Sequence, residues 1–168
     1  MACLISQSFA LDCKDAVGGV KSIYLVNWTK TGFTVASGEV TATSVASGDV
    51  YTYDIPKATA SMTNTTNVSV ENGTVYNQCD VAFKLRRLST TKRNELKLLA
   101  QGRVFCIVKT NNDEYWLVGK ESGCDVSSMV ANTGVAFGDS TGYEVTLQAM
   151  DIEAPYKLQS SVVTTLGI

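Results

Sequence analysis

Residues 57–88 read KATASMTNTTNVSVENGTVYNQCDVAFKLRRL, and the pair Asn72-Gly73 near the middle decides how they fold. Asn-Gly between alternating segments is the strongest short-range β-hairpin signal, because a two-residue type I′ turn needs positive φ at both positions. The turn predicts a register: Val70 faces Val75, Val68 faces Asn77, Thr66 faces Cys79, Asn64 faces Val81, Met62 faces Phe83 and Ala60 faces Leu85. Side chains alternate along a strand, so these pairs share one face, and most apolar residues of both arms fall on it. The other face carries Thr59, Ser61, Thr63, Thr65, Asn67, Ser69 and Glu71 against Arg86, Lys84, Ala82, Asp80, Gln78, Tyr76 and Thr74, and reads as solvated.

Length gives this hairpin its meaning. Arms of about 15 residues reach roughly 45 to 50 Å at about 3.3 Å per residue, whereas a compact chain of this size has a radius of gyration of about 15 Å. Either the strands bend around a barrel inside their own subunit, or the tip projects. The apolar face is interrupted by Asn64, Thr66 and Asn77. They separate a base cluster of Ala60, Met62, Val81, Phe83 and Leu85 from a tip cluster of Val68, Val70 and Val75. The base can join the subunit's core, but the tip valines need a neighbour to cover them.

The 168 residues are expected to form a single mainly β domain, a β-sandwich or barrel with one flanking α-helix and the long hairpin arm. Hydrophobic content of 45%, 18% charged residues and only two prolines mark an ordered globular chain. Residues 1–16 read as an N-terminal arm. Residues 21–28 form a strand apolar on both faces, 33–45 one or two short strands around Gly38, and 50–55 another ended by Pro56. The helix lies over 91–101. Ser89, Thr90 and Thr91 offer caps, Leu96, Leu99 and Ala100 form the apolar stripe, and Gly102 follows. A second hairpin joins 103–109 to 114–119 across Asn111-Asn112-Asp113. Residues 121–141 read as a long surface loop used in an intersubunit contact, 142–150 as an alternating strand, and 157–166 as a last strand or tail.

Charge is segregated. From Lys84 to Arg103 seven cations face the single acid Glu95, a local excess of six in a chain of formal charge −2. Such a stretch can be a plain solvated helix face, can bind nucleic acid, or can dock on an acidic face of another subunit. No recognised nucleic-acid motif or aromatic platform accompanies it. Because the second hairpin arm runs straight into this stretch, arm and charge patch are expected to act as one contact surface. The candidate subunit-interface residues are therefore Val68, Val70, Asn72, Gly73 and Val75 at the tip, with Arg86, Arg87, Lys92, Arg93 and Lys97 in the basic segment.

Little suggests chemistry. The chain has no histidine, which removes the commonest general base and the Ser-His and Cys-His nucleophile pairs. Five irregularly spaced cysteines contain no Cys-x-x-Cys pair, so reduced, mostly buried thiols are expected and no metal. The glycine-rich segment 134–142 lacks the Lys-Ser/Thr of a phosphate loop. The reading is a non-enzyme with no catalytic residues and no cofactor. No membrane span or signal peptide is expected, and the protein is read as made and used without secretion.

The order of elements (long hairpin, helix, tight Asn-Asn-Asp hairpin, small-residue loop, last alternating strand) resembles tailed-bacteriophage tail-tube proteins and their ring-forming relatives. Residues 93–101 (RNELKLLAQ), 103–108 (RVFCIV) and 115–119 (YWLVG) are similar to small structural proteins of crAss-like and related phages. The likeness spans about residues 18 to 155. It implies a virion protein of the tail or neck region, made in the host cytoplasm, that closes side by side into a six- or twelve-fold homo-oligomeric ring or a tube. DNA would pass transiently and without sequence preference through the channel, other tail or connector proteins would be partners, and the arm and loop would reach adjacent rings. Two readings from other classes stand beside it: a β-sandwich module presenting residues 121–141 to carbohydrate or a receptor, and a DNA-binding protein using its basic helix.

Overall fold

The computed structural model describes residues 7–11 and 13–168. Strands take 48% of the chain and helices 14%, so the fold is mainly β, as expected. The strands are β1 (Val20–Asn27), β2 (Phe33–Ala36), β3 (Glu39–Thr43), β4 (Val50–Asp54), β5 (Ser61–Ser69), β6 (Thr74–Arg86), β7 (Val104–Thr110), β8 (Tyr115–Val118), β9 (Cys124–Asn132), β10 (Gly142–Asp151) and β11 (Tyr156–Leu158). Helix α1 (Thr90–Gln101) joins β6 to β7, and α2 (Ser160–Leu166) follows β11. Of the expected arm, residues 7–11 and 13–16 are exposed and carry neither helix nor strand, and the remainder lies outside the described residues.

Hydrogen bonds link the strands in the order β2-β3-β11-β8-β7-β9-β10-β6-β5, with β1 bonded to both β7 and β4. The sheet is mixed because β11 runs parallel to β3. It does not close into a barrel, since β2, β4 and β5 each pair on one side only. A single residue pair, Val104 with Cys124, ties β9 to β7, so the sheet turns a corner there. Ile23, Leu25, Cys106 and Val108 then pack with Val81, Phe83, Val145 and Leu147 in one core, a sandwich-like arrangement. Tyr24, Val26, Phe105 and Ile107, on the opposite faces of β1 and β7, meet Phe33, Val40, Leu158, Val162 and Leu166 in a second core. The unbroken apolar runs of β1 and β7 follow from this two-sided burial.

Helix α1 forms as its caps require. Ser89 accepts a hydrogen bond from the Lys92 amide at 3.3 Å, Leu96 and Leu99 are buried, and the Gly102 amide closes the last turn on the Leu98 carbonyl at 3.0 Å.

Three expectations need correction. Residues 121–141 are not one loop, because β9 occupies Cys124–Asn132 and pairs with β10. A bulge opposite Thr146 and Leu147 leaves Ser127 unmatched, so Cys124 and Val126 point inward but the next inward residue is Met129. The period of two is lost at that point, and with it the strand signal. The tail 157–166 holds only the short β11 before α2, so among the described residues a second helix stands beside the expected flanking α1. Val162 and Leu166 lie one helical turn apart and are buried in the second core, while Gly167 (φ 74°) caps the end; packing outweighs the β preference of Val and Thr. The first hairpin arm is nine residues long. Ala58 is left-handed at φ 58° and the Thr59 hydroxyl donates to the Pro56 carbonyl at 2.6 Å, so residues 57–60 turn instead of extending.

Candidate assembly surface

The hairpin turn differs from the sequence expectation in a way that preserves its faces. A type I′ turn needs positive φ at Asn72 and Gly73, but only Gly73 adopts it (φ 62°). The Asn72 amide instead donates to the Ser69 hydroxyl at 3.3 Å, and residues 70–73 form a four-residue loop. Val68 therefore pairs with Val75, Thr66 with Asn77, Asn64 with Cys79 and Met62 with Val81. This is a two-residue shift from the expected pairing. An odd shift would have turned every side chain over; an even one keeps the apolar face intact.

Base, waist and tip are distinct in the folded hairpin. Cys79, Val81, Phe83 and Leu85 are buried in the first core, and Met62 and Ala60 pack against it. At the waist, Asn77 is only 8% exposed. Its Oδ1 accepts from Thr66 Oγ1 at 2.7 Å and from Asn64 Nδ2 at 3.2 Å, while its Nδ2 donates to the Ile152 carbonyl at 2.9 Å. A buried amide with its partners supplied closes the core on this side. Beyond it the chain leaves the protein. Val68 is 64% exposed, Val70 91% and Val75 56%, and Asn72 and Gly73 are exposed beside them. The four residues from Asn77 to Gly73 carry this tip roughly 13 Å past the last buried side chain.

The hairpin's outer strand is also unprotected. Among the described residues β5 bonds to β6 on one side and to no strand on the other. Its nine residues, SMTNTTNVS, contain no charge and no proline, the two features that commonly blunt a free edge.

The basic segment lies at the other end of β6. Thirteen residues separate Thr74 from Arg86 inclusive, about 40 Å of extended chain. The tip and the charge patch are therefore not one continuous contact surface of a single molecule, contrary to the sequence expectation. At that far end Lys92 Nζ donates to the carbonyls of Arg86 and Arg87, and Arg87 is left-handed at φ 69° where β6 gives way to α1. Lys84 and Arg103, at the two limits of the segment, are neutralised by Glu144 at 2.6 Å and Asp125 at 3.7 Å. Among the described residues, Arg86, Arg87, Lys92, Arg93 and Lys97 between them have no carboxylate within ion-pairing distance.

Next to these cations a groove of about 550 Å³ opens between α1 and the ends of β4 and β6. Tyr53, Ile55, Pro56, Leu85 and Leu96 supply its apolar lining. Burial, with the Glu95 carboxylate second, raises the Tyr53 phenol above its usual pKa, so it stays neutral. In the sequence Leu85 and Leu96 show only as apolar residues of the hairpin base and the helix stripe, because β4, β6 and α1 bring the lining together from three separate segments. Glu71, read from the sequence only as a turn-flanking residue of the solvated face, is the sole charged residue between Lys57 and Asp80.

Other groups offer little chemistry. Cys79, Cys106 and Cys124 are buried thiols. Desolvation, followed by nearby Asp80 and Asp151, pushes Cys79 up to about 12, and burial also raises Cys106 and Cys124. Among the described residues no group of three His, Cys, Asp or Glu side chains could hold a metal ion, and no helix is long and apolar enough to cross a membrane. Compared with protein-family models, curated proteins and solved structures, the chain matches none.

Proposed function

We propose that this chain is a virion structural subunit that self-assembles into the ring or tube of a phage tail or head-tail connector, through which DNA passes. The observation that carries the reading is the hairpin tip: three valines held outside the core, beyond a hydrogen-bonded waist, with nothing among the described residues to cover them. Covering each valine fully contributes about 1.5–3 kcal/mol, so a neighbour that receives them gains substantially. Two features agree with it. The long neutral edge of β5 suits lateral strand pairing, and the unpaired cations stand at the opposite end of the subunit from the tip. Contact surfaces at opposite ends make heterologous, head-to-tail interfaces, which close into rings or extend into tubes. The sequence resemblance supplies the biological setting, with six- or twelve-fold symmetry, tail or connector proteins as neighbours, and only transient DNA contact.

Negative-stain images and native mass measurement of the purified protein test this. Six- or twelve-fold particles support it. A monomer at every concentration would overturn it, and a monomer or trimer that binds glycans would favour the carbohydrate or receptor module. Tight, steeply salt-dependent duplex binding without rings would favour the DNA-binding reading.

A further inference from the structure

Taking assembly as the working reading, we propose that the hairpin tip of one copy seats in the groove between α1 and the β4–β6 end of a second copy, with Glu71 facing the unpaired cations there. The groove is lined by apolar Tyr53, Ile55, Leu85 and Leu96 together with the cations Arg86 and Lys92. The tip offers the matching object, Val68, Val70 and Val75 around one carboxylate. Charge agrees as well as polarity. The distal hairpin, residues 58–79, carries a single charge and it is negative, while Arg86, Arg87 and Lys92 cluster without an acidic partner among the described residues.

The two surfaces cannot meet within one molecule. β6 is bonded to β5 and β10 along its length and separates them by about 35 to 40 Å of extended strand. The seat must therefore be supplied in trans, and a chain with a plug at one end and a socket at the other assembles head to tail. Asp54 and Glu95 also line the groove. They oppose Glu71 while Arg86 and Lys92 attract it, so these four groups select the seating in which the carboxylate meets the cations. The competing occupant is the N-terminal segment, which exposes Phe9 and Leu11.

Charge reversal and cross-linking in the full chain test this pairing. Glu71→Arg and Arg86→Glu should each raise the concentration for half-assembly by about tenfold, and the double variant should recover much of the loss. In a Cys3→Ser, Cys13→Ser background, Val70→Cys with Thr91→Cys should give an oxidant-dependent ladder of linked subunits. A doubly linked dimer would keep the tip in the groove but overturn the head-to-tail geometry. If wild-type particles form normally while the double charge variant shows no rescue and the double-cysteine variant gives no link, the pairing is overturned and the ring reading stands. Absence of any assembly would overturn both. In a chain that keeps Cys13 (Cys3→Ser with Thr91→Cys), a link from Thr91→Cys to native Cys13 would assign the groove to the N-terminal segment and overturn the proposal.

Discussion

The side-chain amide of Asn77 donates to the backbone carbonyl of Ile152 at 2.9 Å, and this bond marks where the hairpin stops being core and becomes arm. Toward Arg86 the inward residues of β6 are buried; toward Gly73 they are exposed. Asn77 is the buried polar side chain among the described residues, and its two functions are satisfied from three directions. Replacing it with Leu strands the Ile152 carbonyl and the Thr66 hydroxyl. The expected loss is about 1–3 kcal/mol, read as a lower urea midpoint at unchanged slope. Asn77→Asp should be no better, because a carboxylate cannot donate to Ile152.

Tip and fold should separate cleanly. Deleting residues 68–75 and closing the arms with a short turn removes side chains that make no contact with either core. Thermal stability should change by less than a typical core substitution, while particles disappear in negative stain. Unchanged particles would remove the tip from the assembly surface. Val70→Asp is the milder version and should weaken assembly in the same direction.

Strand β10 depends on a glycine at its first residue. A Cβ on Gly142 would lie 2.0 Å from the Leu85 carbonyl oxygen of β6, and backbone at that distance cannot yield without moving the strand. Gly142→Ala is expected to cost about 2–4 kcal/mol through loss of the neighbouring β6–β10 pairs, measured by denaturant unfolding and by hydrogen exchange of residues 83–86. The space rules out the side chain here, since Gly142 is not among the positive-φ residues.

Acid should loosen the attachment of β11 to β8. Lys157 donates to Glu114 at 2.6 Å, and this hydrogen bond holds the Glu114 carboxyl below its ordinary value of 4.5. A depressed carboxylate contributes stability that is present above the ordinary value and lost as pH falls through the lower folded-state value. Both side chains are partly exposed, so the contribution is about 0.2–1 kcal/mol. The stability gap between wild type and Lys157→Met should therefore shrink below pH 4.5 in urea titrations. A gap that stays constant in acid would rule out the ion pair as its source.

Thiol reactivity should divide by burial. Cys13 is exposed, whereas Cys79, Cys106 and Cys124 are enclosed in the first core with their thiolates disfavoured. In a Cys3→Ser chain, one thiol should react quickly with an aromatic disulfide reagent at pH about 8, and three only on unfolding.

Local signals determined much of this protein. The alternation of Tyr143, Val145, Leu147 and Ala149, the capped stripe of Leu96 and Leu99, the apolar run of β1 and the division of the hairpin into base, waist and tip are all legible in the chain, because each depends on neighbours two to four residues away. Tertiary structure decided the rest. It placed a bulge at Ser127 that hides β9, drew Val162 and Leu166 into a helix by offering them a core, and replaced the Asn72-Gly73 type I′ turn with a four-residue loop held by Ser69. It also decided that the tip and the basic segment stand at opposite ends of β6, and that Tyr53, Ile55, Leu85 and Leu96 line one groove. Local periodicity tells which side of a strand is apolar. The distance between two ends of that strand, and what stands beside each end, depends on residues 30 to 100 positions away, and only packing brings those together.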